Sequence, residues 1–89
     1  MDEVEDLYFG VSIWPNPSSG ILAIRLNSNL YEKHGKWSVE IVSVLDEVLG
    51  AYSASGEEMV LDLSDRSGVF LIYVRQGTRY TVERVVIEP

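Results

Sequence analysis

The chain has 89 residues, of which 46% are hydrophobic and 24% are charged, and these values fit one globular domain with a single core. Cysteine is absent, which excludes a disulfide framework and thiolate sites for zinc or iron–sulfur clusters. The formal net charge of −7 argues against nucleic acid and anionic membrane surfaces as partners. No apolar run is long enough to span a bilayer directly.

Acidic residues are concentrated at the start of the chain. Residues 1–6 include Asp2, Glu3, Glu5 and Asp6, four of the fourteen acidic groups, and they show no periodicity. We therefore expect residues 1–6 to be an acidic linker or a frayed terminus. Residues 7–89 are predicted to form one β-sandwich domain.

A stiff corner is predicted near the start of that domain. Residues 13–20 read Ile-Trp-Pro-Asn-Pro-Ser-Ser-Gly. The two prolines fix φ and remove two backbone donors, so neither a helix nor a central strand passes through them. The serines and Gly20 supply turn chemistry, and Gly20 is free to take a positive φ. One strand should end at Trp14 and another should begin near Ile21.

Seven short stretches have strand-like composition, and no stretch of useful length has a helical period. Gly10 marks a bulge or a late start in the first stretch, and a phase change between Val82 and Val85 predicts a bulge near Glu83-Arg84. The count and spacing favour an all-β, immunoglobulin-like antiparallel β-sandwich. The predicted strands are residues 7–14, 21–26, 37–44, 48–53, 59–64, 69–75 and 79–88.

Alternation along these strands assigns side chains to the two faces of each sheet. Trp37 is expected to be a central core aromatic. Val69, Leu71 and Tyr73 then form an outer row, which is either a docking surface or is covered by a loop or a neighbouring segment. The predicted inward residues are Leu22, Ile24, Leu26, Trp37, Val39, Ile41, Leu61, Leu63, Phe70, Ile72 and Val74.

Residue patterns for catalysis or metal binding are not found. The single histidine, His34, lies in a polar loop without partners at metal-ligand spacing. Glu57 and Glu58 are adjacent, so on a strand they point to opposite faces, which is wrong for a paired acid and base. Nucleophile-elbow and calcium-loop motifs are missing. We expect no enzyme activity, no catalytic residue, no metal and no cofactor.

Four segments, in order, resemble the type A C-terminal sorting domain of the type IX secretion system. They are residues 15–20 with the strand that follows, residues 39–48, residues 61–75 and residues 80–88. The chain departs from the family's usual pattern in four places, and one of them is the link from Ser64 to Gly68, which is a residue shorter than usual and lacks its customary leucine. Ser43 stands where the family usually has Asp, Asp46 stands where it has Gly, and Glu83-Arg84 replaces a pair that is commonly two lysines.

The resemblance implies a sorting signal that works by binding, without chemistry or a cofactor. Such a domain directs a cargo domain, N-terminal to it in the same polypeptide, from the periplasm across the outer membrane to the cell surface or beyond. Its partner is the type IX secretion machinery, and cleavage would occur in the acidic segment before Leu7. The candidate translocon-recognition residues are Pro15, Asn16, Pro17, Gly20, Gly68, Arg84, Val85, Val86, Ile87 and Glu88.

Two other classes of function remain open. A spacer or carbohydrate-binding module of a larger extracellular protein predicts exposed aromatics, such as Trp14, Tyr31 and Tyr52, grouped on one surface. It also predicts indifference to removal of the last residues. An enzyme or inhibitor predicts a concave pocket around His34 or the carboxylates.

Overall fold

The computed structural model describes residues 9–28 and 36–88 as seven strands in two antiparallel sheets. One sheet has the order β1-β2-β5 and the other has the order β4-β3-β6-β7. The predicted all-β sandwich is confirmed, and the predicted strand positions agree to within a few residues at each end. The strands are β1 (Phe9–Trp14), β2 (Ile21–Ser28), β3 (Trp37–Ser43), β4 (Val48–Ala54), β5 (Glu58–Asp62), β6 (Gly68–Gln76) and β7 (Arg79–Ile87).

The core lies between the two sheets and contains every residue that alternation placed inward. Burial of these apolar side chains is the main force that holds the sheets together. Trp37 is 2% exposed and its Nε1 donates a hydrogen bond to the Gly56 carbonyl, so it is the core aromatic that was expected. Val85 and Ile87 from β7 complete the cluster.

The bulge predicted near Glu83-Arg84 is wrong, and of the two alternatives predicted at Gly10 the structure excludes the bulge. The β6–β7 register runs unbroken from Gly68↔Ile87 to Gln76↔Arg79, and Gly10 pairs with Asn27 in the unbroken β1–β2 register. The phase change in β7 has another cause, because Val82 is an apolar residue on the outer face of an edge strand, where it stays 38% exposed. A register shift lies instead between Ile41 and Val42, where β3 pairs with β4.

The outer row of β6 is half-buried. Val69, Leu71 and Tyr73 lie on the face of the four-stranded sheet that points away from the core. Each faces a β7 residue across the pair, in the order Val86, Arg84 and Val82. Cross-strand neighbours therefore shield part of the row. Its use as a docking surface stays a prediction.

The strand directions separate two ends of the sandwich. The β6–β7 hairpin turns at residues 77–78, whereas Gly68 and Ile87 meet at the other end of the same pair. The corner lies at that second end, because Ser18 forms a parallel bridge with Ile87. A nine-residue strand separates the ends by roughly 30 Å. Most of the sequence-predicted site therefore lies at the end opposite the hairpin.

Candidate functional site

The corner is hydrogen-bonded along the outer edge of β7. Asn16 uses both ends of its side-chain amide: Nδ2 donates to the Arg84 carbonyl at 3.0 Å, and Oδ1 accepts from the Val86 N–H at 3.0 Å. Ser18 continues the contact with its backbone, donating to the Val86 carbonyl at 2.9 Å and accepting from the Glu88 N–H at 2.6 Å. The two separate sequence predictions, a corner and a terminal strand, thus form one structure.

Local interactions hold the corner in shape. Both X-Pro peptide bonds, Trp14–Pro15 and Asn16–Pro17, are cis. The buried Ser18 hydroxyl accepts from the Gly20 N–H and donates to the Ile21 carbonyl, each at 2.9 Å. These bonds close a tight turn directly before β2. The hydroxyl role of Ser18 was missed from the sequence, where it was treated only as a turn residue.

Gly20 has the conformation predicted for it and also makes a close approach. Its φ is +136°, and a Cβ placed there would lie 2.5 Å from the Cα of Ser64. Its carbonyl accepts from the Leu63 N–H at 2.7 Å. Glycine is required at this position both by the backbone angle and by the packing of β2 against the link after β5.

The link between β5 and β6 brings Gly68 to the same end. Gly68 has a φ of +119° and pairs with Ile87. Before it, Asp62 Oδ1 accepts from the Ser64 hydroxyl at 2.6 Å and from the Ser64 N–H at 3.0 Å. These bonds, the hydroxyl first, hold the pKa of the exposed Asp62 carboxyl below its ordinary value of 3.8. The Asp62 carboxylate at the end of β5 thus fixes the first residue after Leu63 in the link.

The predicted site residues divide into exposed and buried groups. Pro15, Asn16 and Pro17 are exposed, as are Gly68, Arg84 and Glu88. Val85 and Ile87 are buried in the core, Gly20 is buried against Ser64, and Val86 is half-buried. A partner that approaches this end meets the first group. The buried residues hold those exposed groups in position.

The turn that contains Ser43 and Asp46 is held by its own hydrogen bonds. Asp46 adopts a φ of 70°, the left-handed conformation that glycine takes without cost. Ser43 Oγ accepts from the Leu45 N–H at 3.1 Å and from the Glu47 N–H at 3.2 Å. The Ser43 hydroxyl oxygen thus serves as the acceptor for two amides of the turn.

Two surface clefts lie away from the corner. One of about 260 Å³ is lined by Lys36, Trp37, Ser38, Ser53, Arg75 and Gly77, and one of about 220 Å³ is lined by Lys36, Ser53, Ala54 and Ser55. Among the residues that the structure describes, no carboxylate lines either of them. His34 lies outside the described residues, as does Tyr31. Residues 9–28 and 36–88 contain no group of three or more His, Asp or Glu side chains placed to hold a metal ion.

The two aromatics of the carbohydrate-binding alternative that the structure describes, Trp14 and Tyr52, do not lie on one surface. Trp14 is 43% exposed on β1, whose strand contacts β7, and Tyr52 is 41% exposed on β4. Since β4 and β7 are opposite edges of the four-stranded sheet, these two aromatics lie on opposite sides of the sandwich. Trp14 and Tyr52 therefore do not form the shared aromatic surface that the carbohydrate-binding alternative predicts.

The fold and the site together define an all-β sandwich module whose corner closes part of its last strand. Residues 12–88 match the family described as the secretion system C-terminal sorting domain, and the chain belongs to that family. It is a type IX secretion sorting domain, a class that is typically non-catalytic and that marks proteins for export to the cell surface or the extracellular space. Comparison with curated proteins gave no match.

The structure also bears on how the chain meets a membrane. Across the ranges 9–28 and 36–88, none of the secondary structure is a helix of the length and apolar character that crossing a bilayer requires.

Proposed function

We propose that the type IX translocon binds this domain as a folded surface at the end that carries the corner. We name this surface, made of residues 15–20 and 84–88, the corner–strand surface. The domain would carry a cargo domain, N-terminal to it in the same polypeptide, from the periplasm across the outer membrane. The observation that carries the proposal is the set of four hydrogen bonds from Asn16 and Ser18 to the edge of β7.

Those hydrogen bonds make recognition depend on folding. Asn16 and Val86 are seventy positions apart in sequence, yet their groups lie 3.0 Å apart. An unfolded chain does not hold Pro15, Pro17, Arg84 and Glu88 together, because closing so long a loop costs entropy that only the folded core offsets. A translocon that reads the corner–strand surface therefore selects folded sorting domains.

Exposure and charge suggest what the translocon would contact. Arg84 is exposed on the outer face, opposite Leu71, and none of the described carboxylates forms an ion pair with it. Glu83 belongs to the other face and is half-buried. Arg84 alone therefore offers a cation where the family commonly has a basic pair. We propose that it supplies the charge that the translocon reads.

The position of the N-terminal strand supports delivery of a cargo from the same polypeptide. β1 ends at Trp14, directly before the corner, so Phe9 lies a strand length from the corner–strand surface. A six-residue strand spans roughly 20 Å. A cargo attached before β1 would begin at that distance and leave the surface accessible to the translocon.

The test is surface delivery of a reporter fused before residues 1–89, with its own signal peptide, in a host with a working type IX system. We expect the intact fusion at the cell surface and a loss of about tenfold for Arg84→Glu, because a reversed charge at a partner interface costs more than a kcal/mol. The matched control is Lys36→Glu, an exposed lysine that lies beside Gly77 at the opposite end of the sandwich. An intact fusion that remains folded in the periplasm would overturn the proposal.

A further inference from the structure

The hydrogen bonds of the corner reveal which groups of β7 face the open edge of the sheet. Arg84, Val86 and Glu88 turn main-chain groups toward the corner. In an antiparallel pair, alternate residues point both N–H and C=O away from the neighbouring strand. The β6–β7 register is unbroken, so the same phase continues back to Val82 and Tyr80.

β1 also contacts β7, but among the described residues only the corner hydrogen-bonds to this edge, and it does so over part of its length. It binds the carbonyl of Arg84, both main-chain groups of Val86 and the N–H of Glu88. The N–H and C=O of Tyr80 and Val82, and the N–H of Arg84, make no hydrogen bond within the part of the chain that the structure describes. We name the stretch Tyr80–Arg84 the open edge. It is a row of main-chain groups ready to pair with another strand.

The side chains of the open edge are suited to an added strand. Tyr80 is 58% exposed and Val82 is 38% exposed, both on the outer face. The Arg75 guanidinium lies 5.5 Å from the centre of the Tyr80 ring, which orders that ring. Arg84 closes the stretch with an exposed positive charge. An added strand would thus meet two apolar side chains and one cation.

Two other edges of the sandwich carry features that discourage pairing. β4 has the register shift opposite Val42, and bulges disrupt the edge of a sheet. β5 is five residues long and begins and ends with the acidic Glu58 and Asp62. Short length and charge both protect an edge. The open edge of β7 has a regular register and no acidic residue before Glu83.

We propose that an extended segment of the export machinery pairs with the open edge and becomes a fifth strand of the four-stranded sheet. The inference rests on the proposed function and names how the partner binds. The partner segment would place apolar side chains beside Tyr80 and Val82 and an acidic side chain beside Arg84. Pairing would stop at Arg84, because the corner occupies the edge beyond it.

Proline at position 82 tests this pairing, because it removes one edge-facing donor and leaves the β6 ladder intact. In the reporter fusion we expect Val82→Pro to lower surface delivery about tenfold. The reason is that one main-chain carbonyl of the partner strand would lose its hydrogen-bond donor. Val82→Ala keeps the N–H while trimming the side chain, so it should retain most of the delivery. Urea unfolding of each purified domain confirms that both variants fold.

The outcomes separate the two levels of the proposal. Failure of the intact fusion to reach the surface overturns the proposed function. Equal delivery of the intact and Val82→Pro fusions, with the intact fusion at the surface, overturns the open-edge inference alone. Sedimentation of the purified domain provides a further check. A dimer that Val82→Pro dissociates would assign the edge to a second copy of this chain and overturn the assignment to the export machinery.

Discussion

The two halves of β7 belong to one regular strand and yet meet different surroundings. Residues 84–88 are hydrogen-bonded on both sides, to β6 and to the corner. Residues 80–82 are bonded only to β6 among the described residues. Val86 and Val82 make the contrast clear, because both are valines on the outer face with edge-facing main-chain groups. The corner accounts for the difference in their edge hydrogen bonds.

This difference shows that the corner does two things for the strand. It protects the end of β7 from pairing with other chains, as edge coverage does in many β proteins. It also sets the point at which the open edge stops. A sorting domain must be both stable and recognisable, and in this molecule those needs are met by adjacent halves of one strand.

The largest expected effect on stability comes from a substitution of Gly20, which disrupts the corner that covers residues 84–88 of β7. Gly20→Ala places a Cβ 2.5 Å from the Cα of Ser64 at a φ of +136°. We expect it to lower the free energy of unfolding by about 3 kcal/mol, from backbone strain and overpacking together. Urea unfolding measures this. Gly56→Ala is the control, because a Cβ there meets nothing within 4 Å, and equal stability of the two variants would contradict the account.

Proline scanning of the two valines compares the halves directly. Val86→Pro removes the N–H that donates to Asn16 Oδ1 at 3.0 Å and puts the proline ring in its place, so we expect a loss of about 2 kcal/mol from the lost bond and the steric clash together. Val82→Pro removes an edge-facing N–H that bonds to no acceptor among the described residues. It should therefore lower the free energy of unfolding by less than about 1 kcal/mol. Thermal or urea unfolding distinguishes the two. A larger loss at Val82 would contradict the assignment of the two halves.

Asn16 offers a smaller and graded change. Asn16→Ala removes both of its bonds to β7 and should lower the free energy of unfolding by about 1 kcal/mol, since the side chain is exposed. Asn16→Asp keeps the acceptor for the Val86 N–H but loses the donor to the Arg84 carbonyl, and a carboxylate suits an N–H partner. We expect it to be intermediate. If both variants match the unaltered domain, the side chain does not fasten the corner.

The smallest effect concerns Asp62, the last residue of β5. Ser64 donates to its carboxylate, so the pKa is lowered relative to the unfolded chain, and the ionised form favours folding. That contribution is present above pH 3.8 and is lost as the pH falls through the lower pKa of the folded state. NMR titration should place the Asp62 midpoint below 3.8 and show it rising in Ser64→Ala. An unchanged midpoint in that variant would exclude Ser64 as the cause.

Much of this fold was predictable because alternation is a strong local signal. Alternation within one strand predicts which side chains face inward. The structure buries the predicted inward residues Leu22, Ile24, Phe70 and Ile72 fully or nearly so. The turn around Asp46 was likewise predictable from residue type. Val82 misled the prediction, because an edge strand tolerates an exposed valine and needs no bulge to accommodate it.

The site was predictable as a set of residues but not as an arrangement. The corner and the terminal strand were each suspected from their motifs, while their contact joins residues about seventy positions apart. The Pro-Asn-Pro motif alone does not predict that the side-chain amide of Asn16 hydrogen-bonds to Arg84 and Val86. The close approach of Gly20 to Ser64 was hidden for the same reason, since pairing between distant strands is decided by the whole sandwich.

The central claim, that the corner closes one half of the β7 edge and leaves the other half open, is tested most directly by amide hydrogen exchange. NMR on the intact domain compares the amide of Val86 with that of Val82 under identical conditions. The account predicts that the Val86 amide exchanges at least about tenfold more slowly, because a bonded amide must open before it exchanges. Exchange of the Val82 amide as slow as that of Val86 would contradict it.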